Sequence, residues 1–146
     1  MKRILVLCTG NSCRSQMAEG YLKFYTQQSA EIFSAGLESH GVNPYAVKAM
    51  AEDSIDIAGQ HSKPVDVFRG QHFDYLITVC DEATQKMLKG ISFREKLHFS
   101  IPDPAAFEGE YERKIEEFRR VREIVKKHML RFIGRALHEN TEAAAG

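Results

Sequence analysis

The sequence predicts an α/β fold, a three-layer sandwich in which helices flank a small parallel sheet of about four strands. Three observations carry the prediction. Apolar runs that read as strands alternate with helical patterns along the chain; the first run, Arg3 to Leu7, is almost wholly apolar; and a polar, glycine-containing loop leads from it into a helix. A strand buried on both faces reads this way, and such strands belong to parallel sheets.

Taken in order, the elements follow from local patterns. After the strand Arg3 to Leu7 comes the loop Cys8 to Ser15, then a helix from Gln16 with Met17, Leu22, Phe24 and Tyr25 at helical spacing. Glu31 to Ala35 reads as a second strand ending at Gly36. Asn43 followed by Pro44 is an N-cap with proline in the first turn, which predicts a helix over Pro44 to Asp53. Tyr75 to Val79 is the next clear strand, with Cys80 at its carboxyl end and the stretch Asp81 to Thr84 opening another helix. Lys96 to Ser100 is a weaker strand before the turn Pro102-Asp103-Pro104. From Tyr111 to Ala136 apolar residues recur at steps of three and four, one long amphipathic helix. Residues 1–137 make one domain, and the segment 138–146, without cap or core pattern, is expected to be a flexible tail.

Composition narrows the function. The chain has 146 residues, with 20 basic and 20 acidic side chains, so no net field draws it to nucleic acid or a membrane. The first apolar run is too short for a signal peptide, and nothing approaches a spanning helix. A cytoplasmic location and a monomer are the expectations. Three cysteines, Cys8, Cys13 and Cys80, do not suggest a structural disulfide framework in that compartment.

Ligands of open α/β sheets sit beyond the carboxyl ends of the strands. That rule brings the loop Cys8 to Ser15, Cys80 and the Asp103 turn to one edge. The loop reads Cys-x5-Arg-Ser, and its two cysteines pose three choices: a metal site, a redox pair, or one nucleophile with a neighbour. Zinc is disfavoured, because the Cys8 to Cys13 spacing is wrong and no second Cys/His pair follows. The six histidines show no ligand spacing and read as surface or packing residues.

Between a strand and a helix, Thr9, Gly10, Asn11, Ser12 and Cys13 can turn their backbone N–H groups inward as an anion cradle. Arg14 adds a planar fork of donors for a tetrahedral oxyanion. Gly10 would allow a backbone conformation or close approach that a side chain would obstruct. Amide dipoles, the helix N-terminus and Arg14 would lower the Cys8 pKa and make it the nucleophile. Ser12 or Ser15 would hydrogen-bond its sulfur, and Ser15 is the choice. Cys13 reads as a small buried residue of the cradle wall.

CTGNSCRSQMAEG (Cys8 to Gly20), FSAGLESHGVNP (Phe33 to Pro44), FDYLITVCDEA (Phe73 to Ala83), IPDPAAF (Ile101 to Phe107) and FRRVREIV (Phe118 to Val125) occur in this order. With them the chain resembles the arsenate reductases of arsenic detoxification, built on the low-molecular-weight protein tyrosine phosphatase fold. The resemblance implies that Cys8 attacks arsenate held by Arg14 and the loop amides, that Asp103 is the general acid, and that Cys80 resolves the Cys8–arsenic adduct as a disulfide. Phosphatases of this superfamily carry proline after the Arg-Ser pair and tyrosines after the Asp-Pro; Gln16 and Ala105-Ala106 stand there. Those differences favour the reductase branch; the alternative is a phosphatase acting on phosphotyrosine or small phosphate esters through Cys8, and a noncatalytic oxyanion-binding or redox-sensing module is a third reading.

Two departures qualify the resemblance. Thioredoxin-coupled members carry a third relay cysteine where this chain has Met87, so the reductant is thioredoxin, glutaredoxin with glutathione, or another low-molecular-weight thiol. Some members bind potassium through four residues that correspond to Asn11, Glu19, Ser34 and Lys63. With the Lys63 ammonium standing in for the ion, neither a bound metal nor an organic cofactor is expected.

Overall fold

The structure, a computed structural model, describes residues 1–81 and 84–138. Its strands are β1 (Lys2–Cys8), β2 (Ala30–Gly36), β3 (His72–Thr78) and β4 (Ser92–His98), and its helices are α1 (Arg14–Thr26), α2 (Pro44–Glu52), α3 (Thr84–Leu88) and α4 (Tyr111–Phe132). The strands form one parallel sheet in the order β2-β1-β3-β4, flanked by helices. The predicted α/β class and its four-stranded sheet are found.

Register sets the geometry that matters. Cys8 pairs with Gly36, Leu7 with Thr78, and Thr78 with His98, so the four strands end level with one another. Ile4 to Leu7 are fully buried, as the unbroken apolar run of β1 requires. On α4 the buried positions Ile115, Phe118, Val121, Val125 and Met129 make one stripe, and α4 packs against α1 and α2. Asn43 caps α2 through its side chain, which accepts from the Tyr45 amide at 2.8 Å, with Pro44 opening the helix.

Several boundaries differ from expectation. The fourth strand lies at Ser92–His98 rather than Lys96 to Ser100, because an edge strand exposes most of its residues and carries no apolar run to mark it. The long helix leaves α geometry after Phe132 for a π-helical turn, Ile133–His138, that contains Gly134, a poor helix former. The helix after β3 begins at Thr84, with Asp81 in a bend before it; Glu82 and Ala83 lie outside the described residues, as do residues 139–146 of the expected tail. Among the described residues no helix is long and apolar enough to cross a membrane.

Candidate active site

The loop after β1 is built so that its carbonyls are used up on one side. Thr9, Gly10 and Ser12 carbonyls accept from the amides of Glu38 (2.9 Å), His40 (3.1 Å) and Asn43 (3.0 Å), and the Asn11 carbonyl accepts from Gln16 Nε2 at 3.1 Å. Across a planar trans peptide the N–H points opposite to the carbonyl. The amides of Gly10, Asn11, Ser12 and Cys13 therefore point away from those partners, the arrangement an anion cradle needs. The segment 37–43 is a strap that shapes the loop.

The residue in left-handed conformation is Asn11, at φ 49°, not Gly10. At Gly10 it is close approach that matters instead: a Cβ there would lie 2.8 Å from His40 Nδ1, a side-chain atom. Asn11 is fully buried and its side chain is saturated, donating to Ser15 Oγ (2.8 Å) and Ser34 Oγ (3.0 Å) and accepting from the Lys63 amide (2.8 Å). Because Ser15 Oγ accepts from Asn11, its own proton is available to another acceptor.

The four positions corresponding to a potassium site lie together, with a different charge arrangement from that expected. Ser34 donates to Glu19 at 2.5 Å, and the ammonium on the other Glu19 oxygen is that of Lys23, also at 2.5 Å. Lys63 instead directs its Nζ to the His61 carbonyl at 2.5 Å; burial lowers its pKa and the Glu19 charge opposes that shift. Lys23, one turn beyond Glu19 on α1, reaches the carboxylate directly, a pairing visible as an i,i+4 spacing but not singled out from the sequence.

Arg14 opens α1 with its side chain 12% exposed. One terminal nitrogen donates to the Ile101 carbonyl at 3.0 Å and the other lies 3.9 Å from Asp103 Oδ2, while its buried Nε has no partner. A buried guanidinium donor left unpaired is unfavourable unless a ligand takes it. Asp103 caps the 3-10 turn Pro104–Ala106, accepting from the Ala105 amide at 3.0 Å.

Cys80 lies two residues beyond β3, near enough to Cys8 to influence its titration, and its sulfur accepts from Thr9 Oγ1 at 3.5 Å. None of the three cysteines forms a disulfide, and all are buried. The neighbouring Cys80 thiol, and then burial, push the Cys8 thiol well above the usual range, against the opposing pull of Arg14 and the Thr9 amide. That runs opposite to the expectation of a lowered value: amides and arginine are present, but the neighbouring thiol and burial outweigh them. Cys13 is pushed up to about 11 by burial, with the Ser12 hydroxyl opposing.

An open cleft of about 470 Å³ connects Thr9, Arg14, Cys80, Asp81, Asp103 and Ala106. The three segments expected at one sheet edge do meet there. Sequence reading missed Gly36, where a Cβ would lie 2.7 Å from the Thr9 and Glu38 carbonyl oxygens, and it placed His40 and His98 among bland histidines. His98 instead lies 2.8 Å from Asp81, beside Cys80.

A cysteine at a strand end, a loop with inward-turned amides, and an arginine and an aspartate on one cleft make the layout of a Cys-x5-Arg enzyme of oxyanions. The chain belongs to the low molecular weight phosphotyrosine protein phosphatase family, whose model matches residues 3–143. Within it, the chain is 47% identical over 131 residues to an arsenate reductase of Halalkalibacterium halodurans, covering 90% of this chain and 94% of that one. Over the same length it is 42% identical to the arsenate reductase of Bacillus subtilis, with the same coverage. A solved arsenate reductase in its phosphate-binding state superposes with a TM-score of 0.77 at 33% identity, over 92% of this chain and 98% of that one.

Proposed function

We infer that this protein is an arsenate reductase, converting arsenate to arsenite with a thiol as the source of electrons. The observation that carries the mechanism is a second buried thiol beside the first: Cys80 lines the cleft with Arg14 and Asp103, while Cys8 ends β1 directly before Thr9, whose hydroxyl donates to Cys80. A phosphatase has no use for a second thiol against its nucleophile.

Arsenate binds in the cradle, where the loop amides, Arg14 Nε and the guanidinium fork take its oxygens. Cys8 gives its thiol proton to an oxygen of the bound arsenate as its sulfur attacks arsenic, and the carboxyl of Asp103 protonates the departing oxygen, which leaves as water. Ser15, oriented by Asn11, donates to the Cys8 sulfur. Cys80, as thiolate, then attacks Cys8 Sγ in the thiol–arsenic(V) adduct. The S–S bond forms, the S–As electron pair passes to arsenic, and arsenite departs as arsenic(III). The two electrons lost by the cysteines are returned by thioredoxin, glutaredoxin with glutathione, or another low-molecular-weight thiol. The enzyme works in the cytoplasm without a resident metal or organic cofactor, with ammonium groups rather than potassium balancing Glu19.

The test compares wild type with Cys80→Ser for arsenite release and for aryl phosphate hydrolysis in the presence of thiol. Multiple-turnover arsenate reduction is expected to disappear in the variant while any residual phosphate-ester hydrolysis through Cys8 persists. Full reduction by Cys80→Ser would overturn the mechanism, and hydrolysis without arsenite from wild type would move the protein to the phosphatase branch.

A further inference from the structure

One polar cluster adjoins the cleft without a part in the steps above. Asp81 follows Cys80 directly, and both of its carboxylate oxygens are held from the end of β4: His98 Nε2 lies 2.8 Å from Oδ1, and Ser100 Oγ donates to Oδ2 at 3.0 Å. His98 is in turn oriented by Thr78 Oγ1, 2.6 Å from its Nδ1. Thr78 and His98 are register partners, so the cluster is anchored in the sheet on one side and tied to the Cys80 turn on the other.

Burial gives this cluster a task. Cys8 and Cys80 are only 3% and 1% exposed, and Cys13, the third cysteine, is equally buried at 3%. The cleft admits an oxyanion, but thiol–disulfide exchange needs a larger reductant in line with the attacked sulfur, so the Cys80 turn has to move at that step of each turnover. The Asp81 and His98 side chains are 67% and 40% exposed, and exposed polar contacts of this kind open readily.

We propose that Asp81, held by His98 and Ser100, is a positioning residue with two settings. Closed, it keeps Cys80 against Cys8 for the attack that forms the disulfide. Open, it frees the Cys80 turn from β4, and an external thiolate attacks one sulfur of the Cys8–Cys80 disulfide. That attack forms a mixed disulfide and releases the other cysteine as thiolate; a second thiol of the reductant attacks the mixed disulfide and leaves oxidised, with both cysteines reduced. The proposal rests on Cys80 as the resolving thiol.

The experiment measures the two half-reactions of the full chain separately. Reduced protein is mixed with arsenate and the loss of thiols is timed; oxidised protein is mixed with dithiothreitol and their return is timed. In Asp81→Ala the first rate is expected to fall about tenfold or more, the effect of a misplaced reacting group, and the second to rise. His98→Gln in the otherwise wild-type chain, which keeps an N–H donor for the Asp81 carboxylate, is expected to leave both rates near wild type, whereas His98→Ala is expected to shift them as Asp81→Ala does. Both rates falling together with thermal stability would mark Asp81 as merely structural and overturn the proposal, as would wild-type rates in Asp81→Ala. Should the wild type form no disulfide with arsenate, the role of Cys80 fails and the latch with it; a normal wild-type disulfide with an indifferent Asp81→Ala sinks the latch alone.

Discussion

Asn11 shows how one side chain can set a reactive loop. Its carboxamide joins α1, β2 and the Lys63 backbone while its own backbone sits at φ 49°, a conformation asparagine tolerates better than most residues. The cysteines illustrate the opposite case, where identity is plain and behaviour is not. Cys8 meets an arginine and inward amides, yet the neighbouring Cys80 thiol and burial raise its pKa, so its reactivity depends on its surroundings as much as on the loop. Cys13, two residues beyond Asn11, is raised from 9.0 to about 11 by burial. Below pH 9 the folded and unfolded chains both keep that proton; between 9 and 11 the unfolded chain releases it and the folded one does not, so stability falls as pH rises. The contribution is about 2 to 3 kcal/mol at the end of that window, since each pKa unit is worth about 1.4 kcal/mol. Urea unfolding of wild type and Cys13→Ala across this range is expected to show the wild type losing ground by that order.

At the scale of elements, the strap of residues 37–43 is what turns a polar loop into a cradle, and two glycines let it lie close. They are not equivalent. A Cβ at Gly36 would meet backbone oxygens of Thr9 and Glu38 at 2.7 Å, which cannot swing aside without breaking the strap. A Cβ at Gly10 would meet the His40 ring, a half-exposed side chain whose one other tie is to Glu38 at 2.6 Å. Gly36→Ala is therefore expected to destabilise by about 1–3 kcal/mol, as overpacking does, and to weaken phosphate binding. Gly10→Ala is expected to do less on both counts, because the imidazole rotates away. Thermal melts and phosphate titrations of the two variants check the order. Edge strand β4 has a comparable double use: its exposed residues contribute little to the core, but its end carries His98 to Asp81.

For the whole molecule, the parallel sheet makes the site by ending its strands level, so that segments from residues 8, 80 and 103 of the chain share one cleft. Binding there stabilises the entire fold through mass action. Phosphate at about a hundred times its dissociation constant adds about 2.7 kcal/mol, a rise in melting temperature of roughly 5–10 °C for a chain of this size. In Arg14→Lys that rise is expected to shrink, because an ammonium replaces the guanidinium fork with a point charge; an equal rise in the variant would show that Arg14 does not touch the anion. Zero net charge keeps long-range attraction of the anion small, so affinity has to come from the cradle itself. Much of this was legible in advance. Apolar β1, the Asn43-Pro44 start of α2 and the spacing of α4 are local patterns, and Cys-x5-Arg announces an anion loop, because those signals arise from residues adjacent or one turn apart. Edge strand β4, the end of α4, the need for Gly36, the Lys23–Glu19 pair in place of Lys63, the raised Cys8 thiol and the contacts of His40 and His98 were decided only by tertiary structure. Each depends on which groups from distant segments come within a few ångströms, where burial and shared protons outweigh what any local stretch prefers.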